Sequence, residues 1–265
     1  MATDILESII RRTRQTVADE AAAVPLDFLA GQLADLTPCI SMKQALAASA
    51  SGIIAEFKRR SPSKGWIKQE ADATVIPPAY AEAGASALSV LTDQPFFGGS
   101  LKDIRQTRPL VGLPILRKDF IISPYQLYQA KLVGADAVLL IAAALRKADY
   151  TALADEAHQL QLEVLLELHS EAELDYVDER ADMVGINNRH LGTFHTDVEH
   201  SFRMAGLLPP ATLLVSESGI AQPDTVCRLR EAGFRGFLIG ETFMKTADPG
   251  QTLHTFIRQL NARRL

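Results

Sequence analysis

From about Ala50 onward, short runs of apolar, β-rich residues recur along the chain, separated by longer stretches of helical pattern. Eight such runs can be marked: Ile53–Lys58, Ala87–Leu91, Ile115–Phe120, Ala137–Ile141, Val164–His169, Met183–Asn188, Leu213–Ser218 and Gly236–Ile239. Most are continuously apolar rather than alternating, the pattern of parallel strands covered on both faces. Between them, Ser123 is a helix N-cap ahead of Pro124, and that helix runs through Leu132 to a stop at Gly134. Leu145–Leu160 and Pro223–Glu231 repeat the pattern, the latter ending at Gly233. Pro77-Pro78 fits only a first helical turn, so that helix is expected to start there rather than at Ala73. Eight strand–helix units in strict alternation, with right-handed crossovers, predict an α/β fold: a (β/α)8 TIM barrel.

Residues 1–48 precede the series as an N-terminal helical extension. Ile5, Leu6, Ile9, Ile10 and Val17 return at helical spacing, and a second short helix is expected near Ser41–Ala50. The extension either covers an exposed apolar end of the barrel or takes part in binding. No linker divides the chain, so residues 1–265 are expected to form one domain.

Composition narrows the class. Hydrophobic residues are 47% of the chain, enough for a large core, and the net charge of −5 argues against a nucleic-acid surface. Two cysteines, Cys39 and Cys227, cannot make a disulfide framework and fit a reducing compartment. The longest apolar run, Ala137–Leu145, is too short for a bilayer, and the first residues carry no apolar signal core. A cytoplasmic protein with no membrane partner is the expectation.

In such barrels the chemistry sits at the carboxyl ends of the strands. Glu56 and Lys58 share one face at the end of the first strand, and Lys118 closes the third. Glu167 ends the fifth, Asn187 and Arg189 the sixth, and Glu217-Ser218-Gly219 the seventh. A plug of ion pairs would explain any one of these. Acids and lysines gathered on five strand ends suit proton transfer better. Lys118 follows an apolar strand, so burial is expected to lower its pKa, whereas Lys58 should pair with Glu56.

Ser218-Gly219-Ile220 and Ile239-Gly240-Glu241-Thr242 follow the seventh and eighth strands, where barrels often hold phosphate on backbone N–H groups. The loop Arg60–Gly65 adds donors and positive charge. Phe96 and Phe97 could wall an aromatic pocket, Phe96 the more simply read as packing. A metal centre is not expected: His190, His195 and His200 step by five, and no HExxH appears. Nor does a GxSxG or Walker motif.

The string Ile54–Gly65, "IAEFKRRSPSKG", resembles the signature of the indole-3-glycerol-phosphate synthase family. The resemblance continues through "SVLTDQPFFGGS", "PILRKDFI", "LLELH", "GINNR", "SESGI" and "LIGETFMK", and covers the whole chain. It implies closure of 1-(2-carboxyphenylamino)-1-deoxyribulose 5-phosphate to indole-3-glycerol phosphate, with loss of carbon dioxide and water and without a cofactor. By motif position, Lys118 would be the general acid of ring closure and Glu167 the general base of dehydration. Lys58 would orient the substrate carboxylate and share the acid role; Glu56, Asn187 and Ser218 fall at further active-site positions, with Glu217 beside them. Phe97 and Phe120 would line the anthranilate pocket. Ser61, Arg189, Gly219, Gly240 and Glu241 would serve binding, the last three through backbone to phosphate. Two positions depart from the pattern: Glu241 stands where some members have serine, and His190 where the family often has aspartate, which leaves Arg189 without that carboxylate.

A related barrel, phosphoribosylanthranilate isomerase, would need a cysteine near the first strand end and an aspartate on the sixth; Glu56, Lys58 and Asn187 stand there instead. A catalytically dead scaffold would have no need of Lys118 with Glu167. The partners implied are the phosphorylated substrate and, by pathway, other enzymes of tryptophan biosynthesis.

Overall fold

The computed structural model describes residues 5–33, 38–190 and 192–263. Residues 1–4 and 34–37 of the predicted extension lie outside the described residues. Eight parallel strands close into a barrel: β1 (Ile53–Phe57), β2 (Ala87–Leu91), β3 (Ile115–Lys118), β4 (Ala137–Ile141), β5 (Glu163–Leu168), β6 (Met183–Asn187), β7 (Leu214–Glu217) and β8 (Phe234–Ile239). β1 pairs with both β2 and β8, which shuts the ring. Every predicted strand is present, each end within two residues of expectation.

Strand periodicity sorts the core into two shells. Ile54, Leu116, Leu139, Leu165, Val215 and Leu238 point into the barrel and form one buried cluster. Their neighbours Ile53, Ala55, Ile115, Val138, Leu140, Val164 and Leu166 face outward into a second cluster shared with the helices. Both neighbours of each strand residue are therefore buried, which is why the runs read as continuously apolar.

The extension contributes α1 (Ile5–Ala23), α2 (Leu26–Gly31) and α3 (Met42–Ala48). The ring then carries α4 (Ile76–Glu82), α5 (Gln94–Phe97), α6 (Leu101–Thr107), α7 (Pro124–Val133), α8 (Lys147–Gln159), α9 (Glu199–Ala205), α10 (Pro223–Glu231), α11 (Glu241–Met244) and α12 (Pro249–Ala262). Ser123 caps α7 by accepting from the Tyr125 N–H at 3.3 Å, and Gly134 ends it at φ +87°. α4 begins at Ile76, with its two prolines in the first turn as expected.

Strict strand–helix alternation does not hold. After β5 the chain makes only a 3-10 run, Glu171–Tyr176. Glu171 and Asp175 would stand four apart on an α-helix, an unfavourable pairing of like charges. The run is instead pinned by the Tyr176 hydroxyl, which donates to the Leu145 carbonyl at 2.7 Å.

The extension closes both ends of the barrel rather than one. α3 plugs the amino-terminal end: Met42 and Leu46 are fully buried, and Glu163 at the start of β5 accepts from Ser41 Oγ and from the Lys43 N–H. α1 crosses the opposite end, where Ile5, Leu6 and Ile9 line the main cavity. Glu20 ties α1 to α7, its carbonyl accepting from the Tyr125 hydroxyl and its carboxylate from Gln129. This division predicts separable effects. Leu46→Ala should cost about 2–5 kcal/mol in urea unfolding and leave KM unchanged, whereas Ile9→Ala should raise KM. A raised KM in Leu46→Ala, or an unchanged one in Ile9→Ala, would refute the division.

Candidate active site

A cavity of about 510 Å³ opens at the carboxyl end of the strands, within the size range of small-ligand sites. Every residue that the family resemblance assigned to the site lines it: Glu56, Lys58, Ser61, Phe97, Lys118, Phe120, Glu167, Asn187, Arg189, Glu217, Ser218, Gly219, Gly240 and Glu241. Phe96 does not. It packs against the inner core, as its simpler reading held.

At the foot of the cavity Lys118 Nζ donates to Glu167 Oε2 and to Glu217 Oε2, each at 2.7 Å. Both carboxylates are almost fully buried. Strand ends create this triangle, since the last residues of β3 and β7 and the penultimate residue of β5 all point inward. Close approach needs glycine at two places. A Cβ at Gly185 would collide with Glu217 Oε1, and one at Gly240 with Glu56 Oε1.

One ammonium between two carboxylates sets the protonation of the group. Burial pushes Glu217 up, and the Glu167 charge adds to this; against the pull of Lys118 its pKa rises to about 8. Burial also opposes ionisation of Glu167, but the charges of Lys118 and His169 outweigh it and hold the group down, at about 2. The two acids are thus driven apart: Glu167 is favoured as the carboxylate and Glu217 as the more readily protonated member of the pair. The expected fall in the Lys118 pKa is corrected. Burial does favour the neutral amine, yet Glu167, Glu217 and Glu56 overcome it and raise the pKa above the ordinary lysine value. Sequence showed the apolar strand but not the two acids that other strands bring to it.

Lys58 pairs with Glu56 Oε1, as its place on the same face predicted. Phe97 and Phe120 form one wall, ring centroids 6.0 Å apart. Asp93 caps α5 by accepting from the Phe96 and Phe97 N–H groups, which fixes that wall. At the opposite side lie Ser218, Gly219 and Gly240, with Ser218 in the left-handed region at φ +69°. Asn188 holds that turn, its side-chain amide donating to the Ser218 carbonyl at 3.0 Å and to Ser216 Oγ at 3.1 Å.

Arg189 donates to Ser63 Oγ at 2.5 Å and lies 3.5 Å from Glu241, which also sits 3.9 Å from Lys64. Arg189 therefore has a carboxylate after all, from the loop following β8 instead of from position 190. The loop predicted to add charge is a small hairpin, Arg60–Ser61 with Gly65–Trp66, in which Arg60 lies over Trp66 and Lys64 stays exposed. Sequence reasoning passed over His169, whose Nε2 lies 3.2 Å from Glu167 Oε1. Its signal was available: it stands two residues beyond Glu167, on the same face.

A sequence model of the indole-3-glycerol phosphate synthase family matches residues 6–256. The chain belongs to the indole-3-glycerol phosphate synthase family. A protein of that name from Bacteroides thetaiotaomicron is 63% identical over 97% of this chain and 99% of its own length. Another, from Rhodopirellula baltica, is 44% identical over 92% of this chain and 95% of its own. Among solved structures, the tryptophan synthase α subunit from Legionella pneumophila superposes with a TM-score of 0.61 at 13% identity, covering 83% of this chain and 97% of that one. Orotidine 5'-monophosphate decarboxylase from Sulfolobus solfataricus gives 0.57 at 14%, covering 81% and 100%. At such low identity these two establish the shared barrel fold only. Among the described residues of this synthase-family chain, no helix is long and apolar enough to cross a membrane.

Proposed function

We propose that this chain closes 1-(2-carboxyphenylamino)-1-deoxyribulose 5-phosphate to indole-3-glycerol phosphate, releasing carbon dioxide and water. The observation that carries this reading is the charged triangle of Lys118, Glu167 and Glu217 set between an aromatic wall and two glycine-bearing loops. The anthranilate ring lies against Phe97 and Phe120, with its carboxylate toward Lys58. The phosphate takes backbone N–H groups of Gly219, Gly240 and Glu241, with Arg189 supplying positive charge and Ser61 lining that side.

As the ring carbon attacks the ketone, Lys118 protonates the ketone oxygen and carbon dioxide departs. Lys58 orients the carboxylate and shares the acid role. Dehydration follows: Glu167 removes a proton from the carbon beside nitrogen and relays it through Lys118 to the hydroxyl, which leaves as water. Glu167 is ionised for that task, and its captured proton can pass over 2.7 Å to Lys118. Glu56 holds Lys58, while Asn187 and Ser218 complete the cavity. The test is to add the substrate and follow indole fluorescence; a folded protein that yields none does not carry out this reaction.

The Glu241 side chain competes for the cations that the phosphate needs. Glu241→Gln should lower KM by about two- to five-fold, the range of an exposed ion pair. An unchanged or higher KM would count against the competition.

The same reading takes residues 1–265 as one domain, so a single unfolding transition is expected. It places the protein in the cytoplasm, supported by two unpaired cysteines. It extends to association with other tryptophan-pathway enzymes, which co-sedimentation with them would register.

A further inference from the structure

The proposed reaction has a proton balance that the acid–base pair cannot meet alone. The ketone oxygen leaves as water and takes up two protons. The attacking ring carbon loses carbon dioxide in place of a proton, so only the carbon beside nitrogen returns one, to Glu167. Each turnover therefore leaves the site one proton short. Glu167 can hand its captured proton to Lys118 across 2.7 Å, but the second must arrive from solvent. Lys118 is 12% exposed and enclosed by Glu167 and Glu217.

The structure offers one group behind the base. His169 is 8% exposed, and its Nε2 lies 3.2 Å from Glu167 Oε1, the oxygen that Lys118 does not use. Neither ring nitrogen has an aligned hydrogen-bond partner among the described residues. A buried imidazole left in that state calls for a role, because such groups are ordinarily satisfied. Glu173, in the 3-10 run after β5, accepts from the His169 backbone N–H at 2.6 Å and from Ser170 Oγ at 3.2 Å, so its carboxylate is occupied. His200 on α9 interacts electrostatically with His169, and with Arg203, Asp197 and Glu173. His200 is only part-buried, and its Nε2 is also without a partner. His169 thus stands between the unused oxygen of Glu167 and the side of α9 on which His200 feels its charge.

We propose that His169 is the inlet through which the Glu167–Lys118 pair regains, once per turnover, the proton that the reaction consumes. The imidazolium gives the proton on Nε2 to Glu167 Oε1; the carboxyl turns that oxygen toward Lys118 Nζ, gives the same proton up and is a carboxylate again; the neutral ring is reprotonated from the side of His200. One proton enters and none is left over. The inference rests on the proposed reaction, and His169 acts through Glu167 without touching substrate.

The experiment is stopped-flow indole fluorescence on the full-length protein, with the parent, His169→Gln and His169→Ala. Glutamine keeps an N–H donor toward Glu167 but cannot carry a proton. Both variants should form a first equivalent of product per site at the parent rate, then settle to a steady state at least about ten-fold slower, with KM unchanged. Added imidazole should restore the slow phase of His169→Ala. A His169→Gln variant that cycles like the parent would overturn the inlet, since a donor alone would suffice. So would a slowed first turnover in both variants, the mark of a residue that only orients Glu167. If the parent itself makes no indole, the reaction has been misread, a failure separate from that of the inlet.

Discussion

Glu167→Gln is expected to fold like the parent, to bind substrate, and to stall after ring closure. The replacement has the same shape, still accepts from Lys118 through its amide oxygen, and occupies the same buried site at the end of β5. It cannot take a proton. Loss of a positioned general base costs about 10²–10⁴-fold in kcat, equivalent to roughly 3–5 kcal/mol of barrier. The decisive measurement is the identity of what accumulates. A decarboxylated, ring-closed compound still bearing its hydroxyl, recovered from a quenched reaction, places Glu167 in dehydration. Recovery of unreacted substrate alone would move it to the first step, and turnover near the parent's would remove it from the mechanism.

Lys118→Met should show the larger combined effect, because Lys118 acts in ring closure and also compensates two buried acids. Turnover should fall by about 10²–10⁴-fold with no ring-closed compound formed. Lys58→Met should instead raise KM and leave measurable turnover at saturation, since Lys58 is paired with Glu56 rather than with either acid of the triangle. The reverse pattern would exchange the two roles.

Stability separates the lysines further. Breaking a buried pair by removing one partner typically costs about 3–5 kcal/mol. Without Lys118, Glu167 and Glu217 face each other uncompensated, and Glu167 loses the charge that holds its pKa at about 2. Both carboxyls of the variant would then have folded-state pKa values above those of the unfolded chain. Such groups penalise folding when ionised, and the penalty fades as pH falls through the folded values toward the ordinary carboxylate range. The gap in urea midpoint between Lys118→Met and parent should therefore be wide at pH 8 and narrow toward pH 5. A gap independent of pH would mean that packing, not charge, accounts for the loss.

Much of this molecule was written locally. Strand positions followed from apolar runs, because a barrel strand is buried on both faces and tolerates little else. Ser123 and Gly134 marked a helix from cap chemistry that depends on a few neighbouring residues. The membership of the cavity was legible for the same reason. In a closed parallel barrel the strand ends share one rim, so Glu56, Lys118, Glu167, Asn187 and Glu217 had to meet.

Only the tertiary structure decided how they meet. The charge state of Lys118 depends on two acids 49 and 99 residues away in the chain, and distance in sequence carries no information about a 2.7 Å contact. Arg189 found its carboxylate in Glu241 because two loops converge, where its own neighbourhood had none to offer. The extension showed its apolar stripe in sequence, yet which end each helix would close depended on shape: α3 fits beneath the barrel and α1 over its mouth. His169 belongs with these, since an imidazole two residues past a base acquires meaning only when its unpartnered ring is seen beside that base. Burial pattern and cap chemistry are local and survive in one dimension; long-range electrostatics and the fit of one surface on another do not.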